Sequence, residues 1–158
     1  MFVISVKSSK LKNAAFISLI FVFVTIGAVY LVGKTASAPA AKVGGVIMKA
    51  ETAEDRIAFF SQFGWEVSQD PCEVKEVIIP TEFDEVYSSY NELQKSQGLD
   101  LEKFKGARVK MWSYEILNYP GYEDSAGVIR GNLLIYNSVV IACDISSTEL
   151  DGFMEGIM

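Results

Sequence analysis

The chain has 158 residues, half of them hydrophobic, with 14 Lys and Arg against 20 Asp and Glu and no His, for a formal charge of −6. The imbalance is concentrated: from Val43 onward 9 basic residues face all 20 acidic ones, a net of −11. So acidic a stretch is repelled by nucleic acid and by anionic lipid surfaces, and nucleic-acid binding is set aside.

The first 13 residues are too short to fold and carry Lys7, Lys10 and Lys12. An uncharged run then opens at Ala14 and closes at Gly33 (residues 14–33), with Lys34 behind it. A helix rising about 1.5 Å per residue makes this run about as long as a bilayer's hydrocarbon core is thick, so a single membrane span is expected. Basic residues ahead of it place the N-terminus in the cytoplasm and everything after it outside. The competing reading is a cleaved secretory signal, because Ala36-Ser37-Ala38 and Ala38-Pro39-Ala40 are small-x-small triplets. The run is longer than a usual signal core, and Pro39 behind the first triplet hinders a peptidase. Both readings export the rest. Residues 34–49, rich in Ala, Gly and Ser, are expected to form a flexible spacer, and residues 50–158 one domain large enough to bury its own core.

That domain opens with a helix. Thr52 followed by Asp55 is a capping-box start, Ala53, Ile57, Phe60 and Phe63 recur at helical spacing, and Gly64 is a natural stop. Trp65-Glu66-Val67 restarts as a short strand, Asp70-Pro71 turns the chain, and residues 73–79 alternate into a second strand closed by Pro80. Thr81 is expected to cap a second helix whose stripe of Phe83, Val86, Tyr87, Tyr90 and Leu93 continues through Gln94 and Gln97 to Gly98. A further helical turn over 99–104 stops at Gly106. Three strands follow, 107–117, 128–136 and 139–145, the last two joined by a tight turn at Asn137-Ser138. Within the first of these, Arg108 and Lys110 share a face with Trp112 and Tyr114 while Val109 and Met111 point the other way, as in a strand partly covered on both faces. Residues 147–158 are expected to be a loop or short helix capping the sheet. Helices and consecutive strands are segregated, so the expected class is α+β: a mainly antiparallel sheet packed by two helices, preceded by one N-terminal transmembrane helix.

Several short motifs give the chain a likeness. Gly64-Trp65-Glu66-Val67, Ile79-Pro80 with Phe83-Asp84, Tyr90-Asn91 leading to Gln94-Lys95, Asn118-Tyr119-Pro120-Gly121, Asn132-Leu133-Leu134-Ile135-Tyr136 and Leu150-Asp151-Gly152-Phe153-Met154 run through the whole domain. The chain resembles the family of small exported proteins of clostridial Firmicutes known as domain of unknown function 4830. The resemblance implies an N-terminal anchor and one exported domain, with no assigned activity. Two departures stand out: Ala142-Cys143 where the family has small residues, chiefly Gly, and Glu155 where a His is common.

Chemistry is sparse. Without His, the usual base near neutral pH, the commonest zinc ligand and the Ser-His and Cys-His nucleophile pairs are gone, and neither GxGxxG nor GxxxxGK[ST] occurs. No cofactor is implied. Cys72 and Cys143 are an even pair for which export permits a disulfide, although Cys143, on a face with Val139, Ile141 and Ile145, reads as a buried small apolar residue. Glu123-Asp124, Asp144 and Asp151 offer hard oxygens for Ca²⁺, but lack EF-hand spacing. Two converging acids would be needed for a carboxylate-dependent hydrolase. The expected binding surface is the loop 118–127 with Tyr119, Tyr122, Glu123 and Asp124, together with Trp112, since exposed Tyr beside Gly and Asn gives adaptable contacts. The expectation is therefore a non-enzymatic interaction module at the cell envelope, its partner an envelope protein or glycan. The alternatives are an exported hydrolase and a small structural or sensing subunit of a membrane assembly.

Overall fold

A computed structural model of the protein describes residues 42, 43 and 45–158. The expected tail, membrane span and signal-like triplets lie outside the described residues. Among the described residues no helix is long and apolar enough to cross a membrane.

The chain enters as a two-residue hairpin, β1 (Lys42–Val43) and β2 (Val46–Ile47), turning at Gly45 with φ +93°. Met48 is only 1% exposed, Lys49 bridges Val139, and Val140 N–H donates to the Met48 carbonyl at 2.8 Å. The spacer expected over 34–49 thus gives way before its end, because one large apolar side chain at position 48 suffices to dock the segment on the sheet. Helix α1 (Ala53–Ser61) starts at Thr52 with the full reciprocal capping box to Asp55 and buries Arg56, Phe59 and Phe60. The strand expected at 65–67 reduces to one bridge, Val67 to Ile116. Strand β3 (Glu73–Ile78) follows, and then α2 (Glu85–Ser96), capped by Asp84 rather than Thr81. The Asp84 carboxylate accepts from Tyr87 N–H at 2.8 Å, so the helix starts at the stronger cap, and Gly98 at φ +81° ends it. A single 3₁₀ turn, Leu101–Phe104, leads into β4 (Arg108–Glu115), β5 (Ile129–Tyr136) and β6 (Val139–Ser147). The tail, expected as loop or helix, instead adds a two-residue strand, β7 (Met154–Glu155).

The five strands form an antiparallel meander in the order β3-β4-β5-β6-β7, with β3 at an open edge. Asn137 and Ser138 both adopt positive φ, +48° and +63°, giving the β5–β6 hairpin the twist-matched two-residue turn. Each face carries its own core. On one, α1 sets Phe59 and Phe60 against Tyr114, Ile116, Ile129, Leu133 and Ile145; on the other, Phe83, Tyr87 and Tyr90 lie with Val109, Met111, Leu134 and Ala142. The α+β class and the mainly antiparallel sheet are as the sequence predicts. A bulge shifts the β5–β6 register between Leu134 and Ile135, so Ile141 and Ala142 both serve the second core while Val140 and Cys143 serve the first. Cys143 therefore does not share a face with Ile141, as simple alternation had it.

Candidate functional site

The α2 face of the sheet is apolar at one end and polar at the other. Strand register places Glu73, Ser113, Asn132 and Asp144 side by side as a single row across β3, β4, β5 and β6, with Arg130 and Ser146 paired in the row beyond. The members of the first row bond laterally. Ser113 Oγ donates to Asn132 Oδ1 at 2.6 Å, and Asn132 Nδ2 donates to Asp144 Oδ1 at 2.7 Å and to Ser146 Oγ at 3.0 Å. From above, Tyr90 of α2 donates its hydroxyl to Asp144 Oδ2 at 2.9 Å. Asp144 is 2% exposed and has no cation within 4.0 Å among the described residues. Burial raises its pKa above the usual carboxyl value, against the opposing bonds from Asn132 and Tyr90. Burial, and then the neighbouring Asp144, push the Tyr90 hydroxyl well up.

All of these polar residues except Ser113 line the floor of a groove of about 740 Å³ between α2 and the sheet. Its walls are largely apolar: Val77, Ile78, Val86, Leu93, Met111 and Met154. Val86 is 78% exposed, Ile78 60% and Met154 54%, so the rim presents large apolar side chains to solvent. Arg130 on the floor reaches Glu73 only loosely, at 3.7 Å, and its buried Nε has no acceptor among the described residues. An apolar cleft with a few fixed polar groups is the usual form of a ligand site. Of the two carboxylates lining the groove, Asp144 is buried without a cation among the described residues, whereas Glu73 is engaged by Lys75 at 3.3 Å and by Arg130 at 3.7 Å. The hydroxyl of Ser146 accepts from Asn132 rather than donating to a base. Such an arrangement can hold and orient a ligand.

The residues expected to form a binding surface lie elsewhere and do not all converge. Tyr119 stacks on Trp65 with ring centroids 5.7 Å apart and contacts Tyr122 and Phe153. Its hydroxyl donates to Glu155 at 2.8 Å, and that of Tyr122 donates to Glu149 at 3.1 Å. Burial raises the Tyr119 pKa, and the Glu149 bond raises that of Tyr122. Asn118 pins the loop's start by accepting from Glu66 N–H and donating to the Gly64 carbonyl, both at 2.9 Å. Glu123 accepts from Gly121 N–H at 3.0 Å, and backbone hydrogen bonds lower its pKa; Asp124 is exposed beside it. The loop thus fastens to the C-terminal tail, and Glu155 is one of its fasteners. Trp112 is separate, on the α1 face beneath the Arg56 guanidinium. Cys72 and Cys143 are both free thiols, Cys72 exposed and Cys143 buried, with burial and then Asp144 pushing the Cys143 pKa up. Among the described residues no group of three or more Cys, Asp or Glu is arranged to hold a metal ion.

The row Ser113, Asn132, Asp144 is invisible to a reading one strand at a time. Its signal is a polar residue on the same face of three consecutive strands, which only register converts into a line. No curated protein and no solved structure matches the chain. The sequence profile of DUF4830, a domain of unknown function, matches residues 59–145. That span covers more than half of the chain and carries Tyr90, Ser113, Arg130, Asn132 and Asp144. The chain belongs to the DUF4830 family.

Proposed function

We propose that this protein is a non-enzymatic binding module whose groove between α2 and the sheet takes an extended polypeptide segment of an envelope protein. The supporting observation is the pairing of an apolar, solvent-open wall with a built polar floor centred on buried Asp144. An extended segment suits the place because β3, whose Val77 and Ile78 line the groove, is the open edge of the sheet. A peptide laid there can add main-chain hydrogen bonds to that edge while alternate side chains enter the groove, and an acceptor on it can meet the unpartnered Arg130 Nε. The uncharged run 14–33, with Lys7, Lys10 and Lys12 before it, supports a single membrane span that holds the domain outside the cell. Tethering raises the local concentration of partners in the same membrane, so modest affinity suffices.

The test is selection from a random peptide display library on the full chain in detergent micelles. Enriched peptides should bind saturably, and Val86→Lys and Met154→Lys, at exposed rim positions, should each weaken them by about tenfold or more without altering the fold. No enriched peptide, or peptides indifferent to both substitutions, would overturn the assignment.

A further inference from the structure

On the opposite face of the sheet lies a second cavity of about 320 Å³, lined by Arg56, Glu76, Arg108, Lys110, Trp112 and the hairpin turn at Asn137 and Ser138 among others. Of the nine basic residues from Val43 onward, six have a carboxylate within 4.0 Å among the described residues: Lys49, Lys75, Lys95, Lys103, Arg108 and Arg130. Arg56, Lys105 and Lys110 have none. Lys105 lies over the Phe83 ring, and the other two both line this cavity.

Two unneutralised cations lining one cavity, in a domain with more than twice as many acids as bases, require an explanation. Arg56 is 7% exposed, and burying an unpaired charge is costly. Its guanidinium is held flat and aimed. It lies over Trp112 at 3.7 Å from the ring centroid, its Nε donates to the Tyr114 hydroxyl at 2.8 Å, and Nη1 donates to the Glu51 carbonyl at 3.3 Å. None of these partners cancels the charge. Lys110 stands across the strands from Glu76, yet the Glu76 carboxylate is taken by Arg108 at 3.0 Å, which leaves the Lys110 ammonium free. Glu51 also lines the cavity and lowers its positive potential without pairing with either cation.

We infer that this cavity binds a doubly charged oxyanion group of the phosphate type. An oriented guanidinium supplies paired N–H donors, a free ammonium supplies the second charge, and the two together match a dianion. The site stands independently of the groove, being built on the α1 face by residues that take no part in the polar row.

The probe is inorganic phosphate titrated into the full chain in detergent micelles at constant ionic strength, with acetate in parallel. The readouts are the Arg56 Nε–H and Trp112 indole N–H resonances. Phosphate should shift both saturably and bind more tightly than acetate. Lys110→Gln, an exposed substitution that leaves the core untouched, should weaken it by about tenfold. Arg56→Lys, which keeps charge but loses the fork and the stack, should weaken it further in a variant whose spectrum remains dispersed. No saturable shift, equal binding by acetate, or unchanged binding in Lys110→Gln would each overturn the proposal.

Discussion

At the scale of single residues, Asp144 shows how context replaces composition. Read along the sequence it is one acid among twenty and a candidate oxygen ligand; in the structure it is buried between Asn132 and Tyr90 with no basic side chain beside it among the described residues. Burial raises its pKa, which gives a definite pH dependence. A group whose folded pKa lies above its unfolded value contributes stability that is complete below the unfolded value, about 3.9, and is lost as pH rises through the folded one. Asp144→Asn removes that loss. In urea denaturation from about pH 4 to pH 8, the variant should therefore gain on the wild type as pH rises and level off once Asp144 has ionised. A wild type that gains on the variant instead would mean that the carboxylate is stabilised, as by an unseen cation. Tyr119 and Tyr122 make the complementary point. Tyr beside Gly and Asn correctly marks a loop, but nothing local reveals that Trp65, Glu149 and Glu155, from distant parts of the chain, occupy those side chains.

At the scale of elements, most of the architecture is legible because its causes are local. The Thr52–Asp55 box, the stop glycines Gly64 and Gly98, and the Asn137-Ser138 turn act within a few residues of themselves. What is illegible depends on contacts made at a distance. Thr81 and Asp84 are both plausible caps, and packing of Phe83 on Tyr87 at 4.7 Å accompanies the later start. Strand β7 exists because Ser146 and Ile145 offer it an edge, not because Met154–Glu155 has strand character. Beyond β7 that edge is completed by a helix. The Gln94 amide accepts from Cys143 N–H at 2.9 Å and donates to the Cys143 carbonyl at 3.1 Å, as a neighbouring strand would. Gln97 also donates to that carbonyl, at 3.0 Å, so Gln94→Leu orphans only the buried N–H. The expected cost is about 1–3 kcal/mol in urea denaturation, with faster amide exchange at Cys143. Gly131 tests the other face: a methyl there overlaps the Phe60 ring and comes within 2.8 Å of Ile116 Cδ1. Gly131→Ala should cost about 1–3 kcal/mol, whereas a loss below measurement would mean that α1 rides higher on the sheet than described.

Across the whole molecule, one sheet serves two faces differently. Helix α1 packs its face over a deep aromatic core and leaves only the cavity beside Arg56, while α2 covers the apolar rows of the other face and leaves a groove over the polar row. A stretch carrying net −11 stays off anionic surfaces, which suits a binding face kept clear of the membrane that would anchor it. Binding an envelope partner requires the domain to be displayed outside the cell. Its two thiols provide the test, since Cys72 is exposed and Cys143 is fully buried with its pKa pushed up. Intact cells making the full chain are treated with a maleimide that cannot cross the membrane. Labelling should occur in the wild type and vanish in Cys72→Ser; if Cys72 reacts only after the cells are lysed, the domain faces the cytoplasm and the proposed display is wrong.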